Sequence, residues 1–247
     1  MNHPAIEKAR LKVQWANRYI QEFDAKFKTF RQQANFGLRI YRDGDGIQCF
    51  EGSAPDTPIV FALLIGDAIH NLRASLDHFT SGVVGLESRT AYFPFHGTVE
   101  QFDACAKKRL INEKWPGLGD HIVSELKPYE AGNYPLWALN KLDVIDKHKL
   151  IIPAIGLAQI RTGALVDKER NNHIAGMTLT VGEGGRLVGI ATDGNFEIEG
   201  EVETFYDIFF PKGSLFEGEP VLKTLANLSQ VVDETFTALE RFMSANP

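Results

Sequence analysis

Residues 66–78, GDAIHNLRASLDH, bring Asp67, His70, Asn71, Arg73, Asp77 and His78 into one short run. The residues just before them, 59–65, are almost wholly apolar, so the segment reads as a helix that enters the interior and delivers its polar groups to a sheltered place. At about 100° per residue, His70 and Asp77 point the same way, Arg73 stands about 40° to one side, and Asn71 and His78 share a direction about 100° to the other. An imidazole titrates near neutrality and can move a proton, while a guanidinium can hold a phosphate and its developing charge. The plain alternative is a polar helix face on which Arg73 and Asp77 form an i, i+4 ion pair.

A second cluster, Asp143, Asp146, Lys147, His148 and Lys149, lies in KLDVIDKHKL, where a helix ends and an apolar run, 150–155, begins. Asp143 and Asp146 are one turn apart and can face one direction. If that helix lies alongside the first, Asp67, His70, Asp77, His78, Asp143, Asp146 and His148 can form a metal site of mixed carboxylate and imidazole ligands. Zinc or iron would then activate water for hydrolysis. Otherwise Lys147, His148 and Lys149 answer the negative end of the helix dipole, and the two aspartates face solvent or pair with Arg73.

Arg73 and His78 form an Arg-x4-His spacing that resembles the R-x4-6-H signature of HEPN-domain ribonucleases. The resemblance covers the central helix and a helix-bundle setting, about a quarter of the chain. It implies a homodimer whose paired Arg and His residues share one cleft. It also implies RNA cleavage without metal or cofactor, through attack of a 2′-hydroxyl on the adjacent phosphate, with His78 as acid/base and Arg73 on the phosphate. Ala74 stands where the family has a polar residue after its Arg, which leaves Asn71 or Asp77 to supply that group. The wider pattern, GDAIHNLRASLDH followed by PLWALNKLDVIDKHKL, also resembles a group of bacterial proteins in which the two segments recur together. That likeness suggests that both clusters serve one site and carries no activity with it.

The elements that must position these groups follow from periodicity. Residues 5–33 carry Val13, Ala16, Ile20, Phe23, Phe27 and Phe30 at helical spacing. Residues 36–50 alternate around Asp43-Gly44-Asp45-Gly46, a hairpin signal; its Asp-x-Asp-Gly lacks the later acidic residue that a calcium loop needs. The central helix is predicted from Thr57-Pro58 to about Leu86, with the stripe Ile65, Ile69, Leu72, Leu76, Phe79, Val83 and Leu86. Shorter helices are predicted at 99–110 and 120–126, then one at 135–148. Beyond Lys149, 177–181, 186–192 and 204–210 read as strands separated by Gly-rich turns such as 182–185. Residues 220–243 return to helical spacing through Leu225, Leu228, Val232, Phe236, Leu239 and Met243, placed beside the first helix.

The expected fold is therefore α+β: a helical bundle of long N-terminal, central and C-terminal helices, a β-hairpin insertion, and a small antiparallel sheet in the C-terminal third. It is read as one domain over 1–247, helical at about 1–150 and 220–247 and antiparallel β at about 155–212. A net charge of −6 argues against nonspecific coating of nucleic acid. Residues 1–50 nevertheless hold nine Lys/Arg against five Asp/Glu, and residues 151–247 seven against fourteen, so RNA as a partner needs a local basic surface away from the acidic third. Two cysteines, Cys49 and Cys105, are too few for a disulfide framework. No apolar run approaches the roughly 20 residues of a bilayer span, and a cytoplasmic location without membrane contact is expected. A third class of function is a non-catalytic module whose sheet, with Phe205, Tyr206, Phe209 and Phe210, binds a partner or small ligand.

Overall fold

The computed structural model describes residues 3–34, 37–46, 48–53, 55–85, 91–151, 153–174, 176, 178–180, 186–187 and 196–246. Its helices and two antiparallel sheets make an α+β protein, with one sheet in the C-terminal third. By internal packing the chain forms two compact units: Met1–Ala25, Val60–Ile151 and Leu222–Pro247 compose the first, and Lys26–Ile59 with Ile152–Val221 the second.

Three long helices make the core of the first unit because each repeats apolar residues every three or four positions. Helix α1, Pro4–Gln33, buries Ile6, Ala9, Val13, Ala16, Ile20 and Phe23 on one stripe. Helix α2, Ile59–Val84, buries Phe61, Ile65, Ile69, Leu72, Leu76 and Phe79. Contrary to the expectation that no apolar run reaches bilayer length, α2 is by length and composition long and apolar enough to cross a membrane, because its few charged residues are spread among apolar ones, and 67% of its most apolar window is buried inside the protein. The last helix in the chain, Val221–Ala245, buries Leu225, Leu228, Val232, Phe236 and Leu239. It runs antiparallel to α1: Arg10 pairs with Asp233, and seven residues further along α1 Asn17 accepts from Ser229 Oγ at 2.7 Å, one turn earlier on the partner helix. Phe23 meets Phe61 edge-on at 5.4 Å, and Phe79 meets Phe236 at 6.2 Å.

After α2 in the chain come α3 (Ala106–Lys114), α4 (Leu118–His121) and α5 (Tyr134–Asp146). The helix expected at 99–110 is split. A 3-10 turn, Glu100–Phe102, ends before Cys105, whose extended backbone (φ −70°, ψ 110°) starts α3 afresh and carries it beyond Leu110 to Lys114. The helix expected at 120–126 begins two residues earlier with α4 and finishes as a π turn, Ile122–Leu126, closed by Lys127 in the left-handed region. Helix α5 starts at an Asn133 cap, whose Oδ1 accepts from Leu136 N at 3.1 Å.

In the second unit β1 (Gly37–Arg42) and β2 (Gln48–Ser53) form the expected hairpin, with Asp43 Oδ1 accepting from Asp45 N across its turn. A long antiparallel ribbon pairs β3 (Ala154–Asp167) with the strand Phe196–Phe209. Two short strands, β4 (Asn172–Ile174) and β5 (Thr178–Thr180), also pair with β3, while β6 (Arg186–Leu187) extends the hairpin sheet and Phe196–Phe209 completes the strand order as β7. From the sequence alone the apolar run ends at 155 and the last strand begins at 204. Both strands are longer because register shifts between Leu157 and Gln159 and between Thr162 and Ala164 break the alternation by which a strand is recognised. The expected turn at 182–185 and residues 188–192 of the expected strand lie outside the described residues.

Candidate functional site

Helices α2 and α5 cross antiparallel through three successive contacts. Asp146 lies against Gly66, His70 Nδ1 is 2.9 Å from Asp143 Oδ1, and Arg73 Nε donates to Asn140 Oδ1 at 2.7 Å. Residue numbers rise along one helix as they fall along the other, in steps of three or four that match the helical repeat. The two polar clusters of the sequence are thus joined along one seam.

At the first contact, a Cβ built on Gly66 would stand 2.3 Å from Asp146 Oδ2, so only the glycine lets the carboxyl lie against the helix. Asp146 Oδ1 is buried and has no hydrogen-bond partner. Burial, followed by the like charges of Asp143 and Asp67, raises this carboxyl above the ordinary carboxylate range; a backbone hydrogen bond from Ile151 and the neighbouring His70 oppose the rise.

The second contact pairs groups of opposite exposure. The Asp143 side chain is 5% exposed and that of His70 is 52% exposed. Lys147 Nζ donates to the other Asp143 oxygen at 2.7 Å. With Asp143 Oδ1 accepting from Nδ1–H of His70, Nε2 is the ring nitrogen left to take a proton. The same division of labour is used wherever a buried carboxylate orients a proton-transferring histidine.

The third contact is enclosed. Arg73 is buried, and its guanidinium carbon lies 4.6 Å from the Phe95 ring centroid. Its Nη1 approaches Asp77 Oδ1 to 2.5 Å, off the line of a directed hydrogen bond, so that contact is a charge pair. Asp77 Oδ1 also accepts from Phe93 N at 2.9 Å. Asn71, buried as well, donates to Asp67 O at 2.7 Å and accepts from Lys12 Nζ at 3.1 Å, which ties α1 to α2.

His78 is exposed. Five residues separate it from Arg73, about 140° around the helix and roughly 7.5 Å along it, so within one chain the two side chains diverge. Among the described residues no three His, Cys, Asp or Glu side chains gather to hold a metal ion. The metal set His70, Asp77, His78, Asp143, Asp146 and His148 is divided by its own contacts: Arg73 and Phe93 engage Asp77, Lys147 and His70 share Asp143, and His78 and His148 are exposed.

Asn140, Phe95 and Lys12 carry no sequence motif that marks them as site residues, yet all three touch the site's polar groups. Gly66 was the legible signal for the close crossing, because a glycine inside an apolar helix costs stability unless something needs the space. No protein family, curated protein or solved structure matches the chain.

Proposed function

We propose that the α2–α5 seam is an acid–base site and that the protein cleaves RNA without metal, the reaction that the Arg-x4-His resemblance implies, but with His70 rather than the His78 of that resemblance in the proton-transfer role. The observation that carries this reading is the solvent-facing His70 held by a buried carboxylate. His70 Nε2 takes the 2′-hydroxyl proton while the 2′-oxygen attacks phosphorus. The protonated imidazole then returns that proton to the departing 5′-oxygen, and a 2′,3′-cyclic phosphate remains. Exposed Lys149 follows three residues after Asp146 and gives the phosphate positive charge to approach. Arg73, already engaged by Asp77 and Asn140, serves as a positioning residue that fixes α2 against α5. The homodimer implied by the resemblance has an apolar surface to use in exposed Leu63, Val144 and Ile145 on the same two helices.

The test is single-stranded RNA incubated with purified protein in EDTA. Wild type yields cyclic-phosphate ends, His70→Ala lowers the rate at least about 100-fold, and Asp143→Asn lowers it by disturbing the tautomer. His78→Ala retains activity. Loss in His78→Ala with none in His70→Ala returns the proton to the His78 of the family pattern; intact RNA with wild type ends the ribonuclease reading. A non-catalytic module is the second reading, supported by how completely Asp77, Asp143 and Arg73 are neutralised by neighbours.

A further inference from the structure

The second unit contains a buried carboxylate that its protein neighbours satisfy on one oxygen alone. Asp167 ends β3 and is 1% exposed. Its Oδ1 accepts from Glu169 N at 3.0 Å and Arg170 N at 3.1 Å, the pattern of an aspartate closing a turn. Its Oδ2 is buried and has no hydrogen-bond partner.

Asp167 is the register partner of Phe196, the first residue of β7. The same residue is engaged from β2, where Gln48, 7% exposed, donates Nε2 to Phe196 O at 2.8 Å. That bond fixes the orientation of the amide, because a carbonyl oxygen can only accept. Gln48 Oε1 is therefore a true acceptor, and it too is buried without a partner. Phe196 thus pairs through its backbone with Asp167 on one side and accepts from the Gln48 side chain on the other, and Asp167 and Gln48 each keep one unsatisfied oxygen.

The chemistry of these atoms selects the sign of what they can bind. Both are oxygen acceptors and one carries negative charge, so an anion is excluded and a neutral apolar group gains nothing. Leaving a carboxylate oxygen unpaired in a buried place is among the costlier arrangements in a protein. A carboxylate and an amide carbonyl are the oxygen types that hard cations take.

We infer that Asp167 Oδ2 and Gln48 Oε1 form a structural site for one hard metal cation, of the sodium, potassium or calcium class, that fastens the β2 hairpin to the β3–β7 ribbon. The site lies in the second unit and is independent of the ribonuclease reading. Its oxygen donors, without a nitrogen or sulfur ligand, favour a hard cation over the zinc and iron expected from the histidine-rich clusters.

The experiment uses the full chain, stripped with chelator and dialysed into tetramethylammonium chloride. Thermal midpoints are measured as sodium, potassium or calcium chloride replaces that salt at constant ionic strength. A saturable rise of several degrees with at least one metal is expected. In Asp167→Asn, which keeps an acceptor for the two turn N–H groups but loses the charge, the rise disappears. In Gln48→Met, which keeps the bulk and loses the free oxygen, about ten times more metal is needed for half the rise. Identical wild-type midpoints in every salt overturn the inference, as does an undiminished response in Asp167→Asn. Should Asp167→Asn not fold, an unchanged half-saturation in Gln48→Met overturns it equally.

Discussion

Gly66 is where the site's geometry meets the strictest steric limit. Helix propensity alone favours alanine over glycine inside a helix by about 1 kcal/mol. Here the added methyl would meet Asp146 Oδ2 at 2.3 Å, and forcing atoms into a packed contact costs about 1–3 kcal/mol. The second effect is the larger, so Gly66→Ala is expected to destabilise the protein by roughly 1–2 kcal/mol in urea unfolding. The sign reverses when Asp146 is first changed to alanine, because the obstruction has gone and the propensity gain remains. That double-mutant cycle isolates the contact from other effects of the glycine. Equal changes in both backgrounds would mean that Asp146 does not constrain Gly66.

The α2–α5 seam shows, at the scale of elements, what could be read from sequence and what could not. The long helices were legible because burial of one stripe imposes a repeat that survives in the residues, as in Leu72, Leu76 and Phe79. The ends of the β ribbon were not, because its register shifts displace the alternation and exposed Glu197, Glu199, Glu201 and Glu203 occupy the near half of β7. Asp143 and His70 were both legible as chemistry, and their pairing was not, since a spacing of 73 residues carries no signal of contact. Arg73 misled for a related reason. Its type suits phosphate, yet Asn140 and Phe95 enclose it, and both lie far away in sequence. The three-contact seam makes a prediction of its own. Arg73→Ala strips a charged partner from Asp77 and a donor from Asn140, with an expected loss of about 2–3 kcal/mol. Arg73→Lys recovers little of it, because one ammonium cannot reach both partners while lying flat on the Phe95 ring. Full recovery with lysine, read as urea midpoints, would reduce Arg73 to a simple charge.

On the scale of the whole chain, the first unit is assembled from three separate stretches, so residues at the two ends of the sequence complete a core that α2 cannot close alone. The last helix supplies Leu225, Leu228, Val232, Phe236 and Leu239, all fully buried, and Phe236 meets Phe79 of α2 edge-on. Truncating a buried phenylalanine removes its transfer free energy and leaves a cavity, at a cost of about 3–5 kcal/mol. A domain's total stability is only about 5–15 kcal/mol, so one such change removes a large share of it. Phe236→Ala is therefore expected to shift the urea midpoint of the helical circular-dichroism signal far toward zero. Val202→Ala, on the exposed near half of β7, is the matched control and should change the unfolding free energy by no more than about 0.5 kcal/mol. If the two variants unfold alike, the C-terminal helix does not belong to the core that holds α2, and the seam carrying His70 and Asp143 must be stabilised from elsewhere.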